Sequence, residues 1–201
     1  MNIRSNRQGM TRRGFLAASA ATAAGLSVLG GCSEGQMFAG KKKKIPVGLQ
    51  LYSVRGEAEK DLPGVLKAVA KMGYEGVEFA GYYGHKAPDI RKMLDDNGLV
   101  CCGTHTQYDT LTPDKFEETV EFNRTLGNKY IIVPWLDPNA NNTREAWLKL
   151  AREFDALAVK LRPHGMWIGY HAHAGDFKKI SGETYWDILF GNTRKEVLMQ
   201  M

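Results

Sequence analysis

The sequence is poor in the features that mark several protein classes. It has three cysteines, Cys32, Cys101 and Cys102. Adjacent residues of an extended segment point to opposite faces, so Cys101 and Cys102 cannot pair there, and Cys32 stands in the N-terminal leader. A disulfide framework is excluded, and any location in the cell envelope must suit a core that holds without one. Seven prolines in 201 residues, with no low-complexity tract and no solenoid repeat, rule out a linker-like or fibrous chain. No apolar run reaches the ~20 residues that a membrane-spanning helix needs.

Positive charge is also missing where a nucleic-acid binder would need it. The formal net charge is +5, but residues 1–44 hold eight bases and one acid. Residues 45–201 are left with nineteen bases and twenty-one acids. A face that tracks phosphates loses its compositional support, and no nucleic-acid partner is expected.

What the leader does contain is an export signal. A polar basic segment precedes Arg12-Arg13, and a mildly apolar run follows from Phe15 to Leu29, rich in Ala, Gly, Ser and Thr. The paired arginines before Gly-Phe-Leu resemble the twin-arginine signal, whose pathway carries folded proteins. Leu29-Gly30-Gly31-Cys32 resembles a bacterial lipobox. Two readings stay open: Cys32 is lipidated, or it is incidental beside a cleavage site. Residues 33–44, ending in four lysines, read as a tether. The expected location is exported: periplasmic, or held at the membrane as a lipoprotein.

From Ile45 onward, short β-branched runs alternate with stretches of helical periodicity, the pattern of βα units around a parallel sheet. Strands are predicted at 46–53, 76–79, 99–105, 130–134, 166–173 and 197–201. Apolar stripes predict helices through Leu62–Met72, Ile90–Leu94, Phe116–Leu126 and Trp147–Leu161, with a shorter one at 184–190. Thr112-Pro113-Asp114 is read as the capped start of the third, and Thr143 as the start of the fourth. Successive strand starts lie 23 to 36 residues apart, the pitch of a (β/α)8 barrel. A full barrel takes about 250 residues, and 45–201 falls short of that. The choice lies between an open doubly wound sheet and a barrel cut short.

An open nucleotide-binding sheet needs a glycine-rich turn after its first strand, and that place holds Tyr52-Ser53-Val54-Arg55-Gly56-Glu57 instead. A barrel needs polar chemistry at its strand ends. The sequence places Tyr52 and Arg55, Glu78, His105, Trp135 with Asp137, then His171, His173 and Asp176 at such ends. The fold class predicted is therefore α/β, of the (β/α)8 TIM-barrel type, incomplete, with about six strands and five helices.

His171 and His173 are two residues apart on one strand and face the same space. With Asp176 three residues on, they form a common set of metal ligands or proton-transfer groups. Glu78 ends a short apolar strand, where a buried carboxylate needs a partner. His105 holds the matching place on the third strand, suited to a substrate hydroxyl. His85 and His164 fall in loop or helix-end contexts and are given no role, and Cys101 and Cys102 read as small apolar strand residues.

The stretches VGLQLYSVR, KMGYEGVEF, GTHT and YHAHAGDF, within residues 45–201, resemble the xylose isomerase-like TIM barrels, called sugar phosphate isomerases/epimerases. The resemblance implies an active site at the carboxyl end of the barrel, a sugar or keto-sugar substrate, and a divalent metal, Mn²⁺, Mg²⁺, Co²⁺ or Zn²⁺. It implies proton transfer next to a carbonyl, with a carboxylate base and the metal holding the enediolate. On this sequence the catalytic residues would be Glu78 and His171. The substrate contacts would be Tyr52, His105, Trp135 and His173, and the metal ligand Asp176. Many relatives read YHNH followed by Glu, and this chain departs from them at Ala172 and Asp176. The family's other ligands come from the ends of strands six to eight, which lie outside these residues, so a truncated product with an incomplete metal site is expected. The alternatives are a lipid-tethered carbohydrate-binding protein without turnover, and a keto-sugar lyase or dehydratase.

Overall fold

The computed structural model describes residues 45–137 and 142–201. Arg12, Arg13, Cys32 and the tether lie outside the described residues. Six parallel strands form one sheet: β1 (Gly48–Gln50), β2 (Gly76–Phe79), β3 (Val100–His105), β4 (Tyr130–Val133), β5 (Trp167–His171) and β8 (Leu198–Gln200), side by side in that order. Among the described residues five α-helices pack on the outer face: α1 (Arg55–Lys71), α2 (Ala87–Asp96), α3 (Phe116–Leu126), α4 (Arg144–Leu161) and α5 (Tyr185–Gly191). A two-stranded antiparallel hairpin, β6 (Lys179–Ile180) with β7 (Glu183–Thr184), lies between β5 and α5. Sequence periodicity missed it because each strand has two residues. Its turn is Ser181-Gly182, both at positive φ, as a tight hairpin turn requires.

The helix boundaries follow local chemistry. Asp61 breaks α1 with non-helical φ and ψ, and its carboxylate accepts from the Gly64 N–H at 2.9 Å. Asp61 so acts as a cap with Pro63 in the turn that follows. Thr143 caps α4 through the Ala146 N–H. The third helix begins at Phe116 rather than at Thr112, because residues 112–115 form a turn first and Lys115 offers no side-chain cap. The first strand is shorter than its apolar run predicts, since Leu51–Val54 winds into a 3-10 turn. The fifth stops at His171, so His173 stands beyond the strand.

Two apolar layers fill the space between sheet and helices. One is centred on Leu51, Leu66, Phe79 and Ile90, the other on Phe154, Leu161, Ile168 and Ile188. Burial of such side chains contributes roughly 1.5–3 kcal/mol each. The inner face of the sheet carries a different set of residues, Gln50, Glu78, His105, His171 and Gln200 among them.

The sheet curls. Neighbouring strands lie ~4.8 Å apart, so β2 and β8, four places apart, would be separated by ~19 Å in a flat sheet. Gln200 Nε2 on β8 nevertheless donates to Glu78 Oε1 on β2 at 2.8 Å. The six strands form a curled half-barrel of the (β/α)8 type, as the strand pitch predicted, and their C-terminal tips converge.

Candidate active site

Alternation along each strand sends chemistry inward and grease outward. On β2, Val77 and Phe79 enter the outer core while Glu78 faces the lumen. On β5, Ile168 and Tyr170 pack outward and His171 faces in. Strict alternation on β3 would put His105 on the same side as Cys101, which belongs to the outer core. A bulge prevents this. Val77 pairs with Cys101, but Glu78 pairs with Gly103, so β3 carries one extra residue. The bulge resets the phase, sending Thr104 and Thr106 outward and His105 inward. Gly103 then lies against Glu78: a Cβ there would meet Glu78 Oε1 at 2.5 Å.

The inward groups form one directional chain of hydrogen bonds. The Tyr52 N–H donates to Gln50 Oε1, which fixes the orientation of the Gln50 amide. Gln50 Nε2 then donates to His105 Nδ1 at 3.1 Å. His105 Nε2 donates to Gln200 Oε1 at 2.9 Å, and Gln200 Nε2 donates to Glu78 Oε1 at 2.8 Å. The amide orientations assign the proton of His105 to Nε2. Glu78 Oε2 lies 3.7 Å from His105 Nε2 and takes no hydrogen bond from the described residues. The His105 and His171 rings are 5.0 Å apart, as are those of His171 and His173.

His171 Nδ1 is buried and without a partner among the described residues. Desolvation, followed by the neighbouring His105 and His173, lowers the His171 pKa from 6.5; Gln200 and Glu78 pull the other way without reversing it. At neutral pH this imidazole is uncharged and available to exchange a proton.

Above this layer opens a cavity of about 520 Å³ whose lining includes Gln50, Tyr52, His105, Trp135, His171 and His173. Five residues singled out from the sequence thus share one cavity, and Glu78, 8% exposed, stands behind one of them, His105. Tyr52 and Trp135 stand at the mouth, more than half exposed, with the Arg55 guanidinium 4.2 Å from the Tyr52 ring centroid.

Asp176 is placed differently. Its Oδ1 accepts from the Tyr170 hydroxyl at 3.0 Å and its Oδ2 from the His173 N–H at 2.7 Å. Tyr170 faces the helices, so this buried carboxylate closes the turn after β5 from the outer side and is not turned to the cavity. The sequence reading also passed over Gln50 and Gln200. Each is a polar side chain in an otherwise apolar strand, at the alternation phase of the lumen, and that signal was available in LQL and LMQ.

The residues present do not fit a complete divalent-metal shell. Among the described residues no group of three or more His, Cys, Asp or Glu side chains is placed to hold an ion. Both His105 nitrogens are committed to amides, Glu78 Oε1 is taken by Gln200, and Asp176 faces away. Within the layer, His171 Nδ1 and Glu78 Oε2 take no hydrogen bond from the described residues.

Fold and site together define a barrel-type protein with polar chemistry at the strand tips. Residues 66–200 match the xylose isomerase-like TIM barrel family, and the chain belongs to it. Solved structures agree on the fold. A sugar phosphate isomerase/epimerase from Parabacteroides distasonis is 22% identical with a TM-score of 0.67, covering 80% of this chain and 69% of that one. An AP endonuclease of family 2 from Brucella melitensis is 16% identical with a TM-score of 0.59, covering 78% and 68%. The IolI protein with a bound zinc atom is 14% identical with a TM-score of 0.54, covering 77% and 62%. Among curated proteins, none matches the sequence.

Proposed function

We propose that this protein moves a proton next to the carbonyl of a sugar or keto-sugar, as an isomerase or epimerase. One observation carries the reading: His105 and His171, from two strands, line one cavity of about 520 Å³, and Glu78, from a third, stands 3.7 Å from His105 Nε2. Glu78 Oε2 takes the proton from the carbon beside the carbonyl. The C–H electron pair becomes the C=C bond of an enediol, and the carbonyl oxygen gains the negative charge. His171 donates a hydrogen bond to that oxygen. Return of the proton to the former carbonyl carbon, with the neighbouring hydroxyl proton passing to the enediolate oxygen, gives isomerisation; delivery of a proton to the opposite face of the original carbon gives epimerisation. Tyr52, Trp135 and His173 line the opening where the sugar enters.

A divalent ion would polarise the carbonyl oxygen, but the donor set does not form its shell, so no step above passes through one. That same observation favours a second reading, a carbohydrate-binding protein without turnover. The leader extends the proposal: Arg12-Arg13 direct export, and Cys32 is the residue that would carry a lipid anchor.

Exchange in D2O separates the readings. The full chain, with a panel of aldoses and ketoses, is expected to incorporate deuterium beside the carbonyl, and Glu78→Gln to abolish it. Binding of a sugar with no exchange in any panel member would overturn the enzymatic reading and leave the binding one.

A further inference from the structure

A second cavity, of about 360 Å³, adjoins the first. Ala80, His105 and Gln107 line both, so the two are neighbouring chambers at the C-terminal tips of β2 and β3. Either is within the size range of small-molecule sites. One sugar ring accounts for the first and leaves the second unexplained.

The second chamber has a floor and a rim of different chemistry. Tyr82 and Phe122, with ring centroids 4.2 Å apart, supply a rigid aromatic wall. Phe122 is half-buried: it packs against the outer core and also lines this space. Burial holds the Tyr82 hydroxyl pKa up at about 12, with hydrogen bonds to Thr104 and Thr106 opposing the rise, so the wall carries no charge. The wall is also pinned from behind. Thr104 Oγ1 donates to Asn123 Oδ1 at 2.8 Å, and Asn128 Nδ2 donates to both of them, tying α3 to β3. Around the rim stand Gln107, Thr110, Lys115, Glu118 and Thr119.

An apolar face beneath a ring of donors and acceptors is what a pyranose meets when bound, since its C–H face stacks on an aromatic while its hydroxyls bond at the edge. A purely aromatic group would match the wall but make no use of the exposed Gln107, Lys115 and Glu118 at the rim. We infer that the second chamber is a subsite for another sugar unit, so that the substrate class is a disaccharide or longer glycoside whose reacting ring lies in the first chamber. This rests on the sugar-binding reading of the first chamber.

Calorimetric titration of the full chain tests it, using methyl glycosides of glucose, galactose, mannose and xylose against maltose, cellobiose, lactose, mannobiose and xylobiose. At least one disaccharide is expected to bind about tenfold or more tightly than its methyl monoglycoside. Thr119→Trp, which fills the second chamber, should close that gap. Replacement of the exposed Lys115 and Glu118 together by Ala should narrow it, and decides the matter if the tryptophan variant does not fold. Equal affinities, or a gap that survives these variants, would overturn the second subsite and leave the first chamber's reading intact. Binding of neither class would overturn both.

Discussion

Gln200 is the residue whose removal tells most about the site. It accepts from His105 and donates to Glu78, so Gln200→Leu breaks two hydrogen bonds while keeping similar bulk. The His105 Nε2–H then has no acceptor, and Glu78 Oε1 loses its one donor among the described residues. A net hydrogen bond is worth about 1 kcal/mol, and a stranded buried partner adds more; the partial exposure of this pair keeps the sum near the low end, about 2–3 kcal/mol. For a domain of this size the melting temperature should fall by about 5–10 °C. Circular dichroism during heating reads that shift, and deuterium exchange into the preferred sugar reads the loss of Glu78 positioning. A melting temperature within about 1 °C of the parent, with exchange unchanged, would refute the chain of hydrogen bonds.

Three further outcomes follow from the same geometry. Gly103→Ala places a Cβ 2.5 Å from Glu78 Oε1; the carboxylate must swing away, so exchange should drop at least about tenfold with far-UV circular dichroism unchanged. Asp176→Ala removes the acceptor of Tyr170 and of the His173 N–H and should cost about 1–3 kcal/mol in urea unfolding, while catalytic exchange per folded molecule persists; loss of exchange with stability intact would make Asp176 a site residue after all. His171 has its folded pKa below 6.5, so the unfolded chain takes up this proton first. Stability from this group is full above 6.5 and is lost as pH falls through that value towards the folded one. Urea unfolding at several pH values should show a smaller acid loss for His171→Gln than for the parent, and an equal loss would contradict the burial of this imidazole.

The parts of the fold that rest on long periodic segments were legible in the sequence. The stripe through Trp147, Leu150, Phe154, Leu157 and Leu161 is the buried face of α4, and the β-branched runs at 76–79 and 130–133 are strands. The site was legible where polar residues follow apolar strands, as with Glu78, His105 and His171. Two things hid the rest. A bulge is invisible to strict alternation, and it is the bulge at Cys102 that turns His105 into the lumen. Spacing along the chain also says nothing about where a turn sends a side chain, so the bonds that the Asp176 carboxylate accepts from Tyr170 and the His173 N–H were not legible. Gln50 and Gln200 were overlooked because amides do not titrate and draw less notice than carboxylates and imidazoles.

The account depends on the strand tips meeting, and the coupling between Glu78 and Gln200, 122 residues apart in the chain, measures that most directly. A double-mutant cycle on stability, with Glu78→Leu, Gln200→Leu and the pair, should give an interaction energy of about 1 kcal/mol or more. Strictly additive effects would mean that the two side chains do not touch, as expected of a flat sheet with β2 and β8 far apart.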